Sequence, residues 1–102
     1  MKETVILVNC ARGGIVDEHA LYDALVEKRI AAAGVDVFED EPLAGGHPLV
    51  NLPNVCHSPH VAGQTAESLV RVSLQTAENI LTVLRGETLD PGYIVNPEVL
   101  SA

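Results

Sequence analysis

Val5-Ile6-Leu7-Val8 is an unbroken apolar run of strand length, the pattern of a parallel strand covered on both faces. After a polar gap, Ala20, Leu21, Ala24 and Leu25 recur on one helical face. Asp17 stands where it can cap that helix and Glu18 suits its first turn, so a helix is predicted through about Lys28. Ala32 to Phe38 reads as the next strand and Val55 to His57 as a short third. Between them, Pro42 to Pro53 carries two glycines and three prolines and is predicted to be loop, with one turn around Leu49-Val50.

Beyond Thr65, a plausible N-cap, apolar residues return at helical spacing. Ala66, Val70, Leu74, Ala77, Leu81 and Leu84 form one face, and Leu69, Val72, Ile80 and Val83 widen it. The pattern predicts a helix ending at Arg85, with Gly86 in the left-handed cap position and apolar girth enough to be packed on two sides. Leu89 to Ala102, with two prolines, reads as a tail, so residues 1–88 form a domain portion and 89–102 follow it.

Strand, helix, strand, loop, strand describes an α/β chain with a parallel sheet of about three strands and flanking helices. In such sheets ligands bind outside the carboxyl ends of the strands, and three titratable or charged residues fall there: Arg12, Glu41 and His60. Their order suits one chemistry. A guanidinium fork holds a carboxylate, an imidazole moves a proton, and a carboxylate orients that imidazole. Gly13-Gly14 after Arg12 lets backbone approach a ligand closely. Asp36, inside an apolar run, requires a ligand or a local hydrogen bond. Glu39 competes with Glu41 for the pairing role, while His19 and His47 read as surface residues and His57 as a packed or edge residue.

Six basic against 14 acidic residues give a formal charge of −8, with only 3% aromatics. That balance speaks against nucleic-acid and anionic-membrane partners. The first apolar run is too short for a signal peptide or a membrane span. Cys10 and Cys56 lack metal spacing and read as reduced, small buried hydrophobes, as expected in a cytoplasmic protein. At 102 residues the chain is one domain at most.

The segment Val8-Asn9-Cys10-Ala11-Arg12-Gly13-Gly14-Ile15-Val16-Asp17-Glu18 resembles a signature of the D-isomer-specific 2-hydroxyacid dehydrogenases. Two later blocks match the same family in order: Ala33-Gly34-Val35-Asp36-Val37-Phe38-Glu39-Asp40-Glu41-Pro42, then Pro53-Asn54-Val55 with Ser58-Pro59-His60-Val61-Ala62-Gly63. The resemblance implies the C-terminal portion of a Rossmann-like, doubly wound parallel sheet. It implies that Arg12 binds the substrate carboxylate, that His60 is the catalytic acid/base, and that Glu41, in its Glu-Pro context, is the paired acid. Asp36 would contact the nicotinamide carboxamide of NAD or NADP, with Cys10, Ala11 and Gly63 completing that end of the pocket. Cys10 and His57 depart from the family's commoner residues at the margins of the site. Glutamate at position 41 speaks against the formate dehydrogenase branch, and Val61-Ala62-Gly63 against the co-repressor branch.

No G-x-G-x-x-G occurs in the chain, although this family binds the cofactor pyrophosphate through that turn. The expectation is therefore a fragment whose N-terminal part lies elsewhere, acting on a small 2-hydroxy or 2-keto acid only when completed, with the tail returning toward a substrate domain. A second expectation, from another class, is a non-catalytic assembly or complementing subunit. Its unpaired first strand would invite homo-oligomerisation or pairing with the missing half.

Overall fold

The first apolar run forms a strand displaced by one residue, β1 (Ile6–Asn9), followed by α1 (Glu18–Val26), β2 (Ala32–Val35), a 3-10 turn (Pro48–Asn51) and β3 (Val55–His57). The computed structural model describes residues 1–43 and 45–101. Ala44, in the predicted loop, and Ala102, ending the predicted tail, lie outside the described residues. The chain forms two compact units, one of residues 1–63 and one from Gln64 onward.

In the first unit the sheet order is β1-β2-β3. Both pairings are parallel, Ile6 opposite Ala32 and Asn9 opposite Val35, then Ala33 opposite Val55 and Val35 opposite His57. Asp17 caps α1, its Oδ1 accepting the Ala20 N–H at 2.9 Å. The helix stops two residues short of the predicted Lys28. Lys28 itself takes the left-handed conformation, φ 56°, and the Lys28 and Arg29 amides donate back to the Leu25 and Ala24 carbonyls, a Schellman ending built without glycine. Strand β2 likewise ends at Val35, before the predicted Phe38, because Asp36 to Phe38 turn away to form the site.

The core lies on one face of this sheet. Leu21, Leu25 and Ile30 pack with Ala33, Val35, Phe38 and Leu49, flanked by Leu7 and Val55. The other face carries Ile6, Val8, Ala32, Gly34 and Cys56 by strand alternation, and Ile6 and Val8 are 66% and 67% exposed. Within this unit the strand is thus covered on one face, where the expectation was both, and handedness supplies the reason. Right-handed crossovers between strands laid down in chain order put every connection on the same face. Both α1 and the 3-10 turn fall there, and neither crossover of this unit reaches the opposite face.

The second unit begins with α2 (Ala66–Leu84), Thr65 capping it by accepting the Ser68 N–H at 3.1 Å. Gly86 ends it at φ 72°, with Gly86 and Glu87 amides donating to Val83 and Thr82. No residue of α2 is buried, so its own unit does not supply the two-sided packing predicted for it. The residues after it form only short 3-10 turns, Pro91–Tyr93 and Pro97–Ser101, which bring no apolar layer of their own. Among the described residues no helix is long and apolar enough to cross a membrane.

Candidate active site

Where β1 ends, buried Asn9 shapes the turn that follows. Its Oδ1 accepts the Ala11 N–H at 3.1 Å and its Nδ2 donates to the Arg12 carbonyl at 3.4 Å, an Asx-type turn that fixes Cys10, Ala11 and Arg12. Next in the chain, a Cβ on Gly13 would lie 2.1 Å from the Phe38 carbonyl oxygen, so only glycine lets this loop lie against the one after β2. Arg12 therefore reaches the carboxyl edge of the sheet. Its Nη1 donates to the Ala11 carbonyl at 2.6 Å, and among the described residues it joins no salt bridge.

Glu41 and His60, from the loops after β2 and β3, are brought together. His60 Nδ1 lies 2.8 Å from Glu41 Oε2, and Glu41 Oε1 accepts the Phe38 N–H at 2.9 Å. The His60 hydrogen bond, with help from the Phe38 amide, holds the Glu41 carboxyl below the usual carboxylate range. An ionised carboxylate only accepts, so the Nδ1 proton sits between the pair. Of the two competing acids it is Glu41 that meets His60, while the Glu39 amide donates to Glu18 Oε1 at 2.7 Å. Both members of the pair keep roughly two-fifths of their side chains exposed, 42% and 37%, and are open to a ligand.

Asp36 builds the loop that aims His60. Only 4% exposed, it accepts from Ser58 Oγ at 2.5 Å and the Val61 N–H at 3.0 Å through Oδ1, and from the Ala62 N–H at 2.9 Å through Oδ2. Its carbonyl accepts the His60 N–H at 2.8 Å. These bonds hold His60 at φ 57°, a left-handed conformation that histidine tolerates better than most residues. The local hydrogen bonds demanded by an aspartate in an apolar run are thus present, and they occupy most of the lone-pair capacity expected for a carboxamide.

Ser58, then the Ala62 amide, depress the Asp36 carboxyl below its ordinary value, with Val61 and His60 adding to the effect. A depressed carboxyl contributes stability that is present above the unfolded pKa and lost as pH falls through the folded one. Acid is therefore expected to destabilise the first unit below the usual carboxylate range, and Asp36→Asn to flatten that dependence. Urea denaturation at a series of pH values checks it, and equal acid sensitivity in Asp36→Asn would refute it.

A cleft of about 720 Å³ opens beside the pair, lined by Asp36, Phe38, Glu41, Pro42, Leu43, His57, Ser58, Pro59 and His60. Arg12 does not line it. Cys10 and Cys56 are free and exposed, correcting their reading as buried hydrophobes, because Cys10 sits in the turn and Cys56 on the open sheet face. Among the described residues, none other than its own chain neighbours comes within 4 Å of a Cβ built at Gly63. His47, read as a surface residue, is mostly buried against Glu18. Sequence reasoning gave no role to Asn9 or Ser58, although an asparagine closing an apolar run is itself a turn signal.

Residues 1–62 match the family described as D-isomer specific 2-hydroxyacid dehydrogenase, NAD binding domain. The chain is 48% identical over 100 residues to a glyoxylate reductase of Thermofilum pendens, covering 98% of this chain and 29% of that protein. It is 51% identical over 87 residues to a D-3-phosphoglycerate dehydrogenase of Methanocaldococcus jannaschii, covering 85% of this chain and 16% of that protein. Among solved structures, the NAD-complexed D-isomer specific 2-hydroxyacid dehydrogenase of Lactobacillus delbrueckii ssp. bulgaricus superposes with a TM-score of 0.76 at 33% identity, over 87% of this chain and 31% of that one. The chain thus spans less than a third of the length of these relatives. With a three-stranded parallel sheet, an acid–histidine pair at its carboxyl edge and a matching sequence over most of its length, this chain belongs to the D-isomer specific 2-hydroxyacid dehydrogenase family, as part of its NAD-binding domain.

Proposed function

We propose that this chain supplies the acid/base pair and the nicotinamide-facing wall for reversible hydride transfer between a 2-hydroxy acid and its 2-keto acid. The observation that carries this reading is the 2.8 Å contact between His60 Nδ1 and Glu41 Oε2 at the sheet's carboxyl edge. NAD or NADP, when bound, supplies or accepts the hydride. A nicotinamide is a flat, largely apolar ring bearing one amide, and the Phe38, Pro42, Leu43 and Pro59 walls with Asp36 and Ser58 between them suit such a group. Cys10, Ala11, Asp36 and Gly63 are the residues assigned to hold it.

In the reducing direction His60 gives its Nε2 proton to the carbonyl oxygen as that oxygen gains the carbonyl electron pair. In the oxidising direction the same nitrogen takes the hydroxyl proton back. Glu41 balances the ring's charge and fixes its orientation. Arg12 clamps the substrate carboxylate in a bidentate geometry that lysine cannot copy, after leaving the Ala11 carbonyl. Residues 1–88 then serve as the dinucleotide-domain part, 89–102 as a tail directed to a substrate domain, and the exposed free thiols suit a reducing, cytoplasmic setting.

A complementing or self-associating subunit is the second reading, favoured by the exposed Ile6–Val8 sheet face. One set of measurements addresses both. The 102-residue chain alone is expected to bind NADH no more tightly than about 1 mM, because a millimolar constant already demands about 4 kcal/mol from contacts that lack a glycine-rich pyrophosphate turn. It is expected to give no NADH oxidation with glyoxylate or hydroxypyruvate, and to scatter light as a dimer or larger. A chimera in which this chain replaces the matching stretch of the Thermofilum pendens glyoxylate reductase is expected to reduce glyoxylate. An inactive but folded chimera would refute the catalytic reading, and micromolar cofactor binding with turnover by the isolated monomer would refute the assignment of a partial site.

A further inference from the structure

Glu18, in the first turn of α1, reaches across to the loop that carries Glu41. Its Oε1 accepts the Glu39 N–H at 2.7 Å and its Oε2 lies 3.1 Å from His47 Nε2. The pair is largely buried, the side chains only 18% and 22% exposed. His47 also sets its ring edge-on to Phe38, centroids 5.2 Å apart at 70°, and its Nδ1 is buried without a hydrogen-bond partner among the described residues. A buried ring nitrogen left bare costs free energy, so the ring is held here by its other nitrogen and by Phe38. Phe38 is in turn the residue whose amide donates to Glu41 Oε1 at 2.9 Å. One carboxylate therefore ties both Glu39, next to Phe38, and His47 to α1.

We propose that Glu18 and His47 are positioning residues, a buried clamp that sets the Phe38–Glu41 turn so that Glu41 meets His60 in register. The inference rests on the reading of His60 and Glu41 as the catalytic pair, but its geometry is independent of that reading. Neither residue itself lines the cleft, so the clamp acts through Phe38 and the loop that follows it. Without it, Glu41 keeps its sequence neighbours but loses the fixed amide of Phe38 and the fixed distance to His60.

The test is NMR on the whole chain. In Glu18→Ala the Phe38 and Glu39 amides are expected to exchange about tenfold faster, the loss of one hydrogen bond to a charged acceptor. The Glu41 carboxyl is expected to titrate closer to the ordinary carboxylate range. Glu18→Gln, which keeps an acceptor for Glu39 and an amide facing His47, is expected to restore both. His47→Phe preserves the packing on Phe38 and removes Nε2, and serves where Glu18→Ala does not fold. It is expected to shift the same two readouts while the Ala33 amide in the sheet keeps its protection. Unchanged Phe38 exchange and Glu41 titration in a folded variant would overturn the proposal, as would equal loss of protection at Ala33. Failure of the catalytic reading would look different, as retained glyoxylate reduction in a His60→Gln chimera with these NMR results intact.

Discussion

Replacing His60 with glutamine in the glyoxylate reductase chimera is expected to lower kcat by about 10²–10⁴, the usual contribution of a positioned acid/base group. KM for glyoxylate is expected to move little, because carboxylate binding is assigned to Arg12 and the ring acts as charge develops on the oxygen. Glutamine retains a hydrogen bond to Glu41 but has no proton to give at the far end. Steady-state kinetics with glyoxylate decides the matter, provided circular dichroism shows the fold intact. A His60→Gln chimera within a few-fold of its parent would remove His60 from the chemistry.

The largest stability loss is expected at Leu49. Its side chain is 0% exposed and belongs to the cluster with Leu25, Ala33 and Val35, so it pins the 3-10 turn beneath the sheet. Leu→Ala changes at such sites cost about 2–5 kcal/mol. A unit of this size holds only on the order of 3–9 kcal/mol in total, so Leu49→Ala removes a large share of it. Urea unfolding followed by far-UV circular dichroism is expected to show a midpoint reduced by about half, or no folded baseline. The Glu41–His60 contact should go with it, since Leu49 anchors the chain between them. A midpoint within experimental error of the parent would show that the turn is not part of the core.

Much of this architecture was readable from local pattern. Asp17 and Thr65 announced their helices because a side-chain oxygen at an N-cap satisfies an orphan amide wherever the rest of the fold lies, and Gly86 marked its helix end for the same local reason. Lys28 did not, since nothing in its side chain advertises a left-handed backbone. An apolar run such as that of β1 states that a strand can be covered on two faces, not that its own folding unit supplies both covers. The pairing of His60 with Glu41 in preference to Glu39 needed the Glu-Pro context of a related family, because both acids lie within reach of the same loop. The burial of His47 was invisible for a different reason. It depends on Glu18, 29 residues away, and on a loop with no periodicity to read.

Because the sheet is laid down in chain order, β1-β2-β3, its assembly during synthesis has a fixed sequence of events. Glu41 leaves the ribosome 19 residues ahead of His60, a delay of about 1–4 s at ordinary elongation rates. Throughout that interval β2 can pair with β1, but its other edge has no strand to receive. The loop that places His60 hangs on β3 and on Asp36, so the acid waits on a finished half-sheet for a histidine that cannot be aimed until the last strand is in register. In the lifetime of the nascent polypeptide, the Glu41–His60 contact is the final thing the first unit makes.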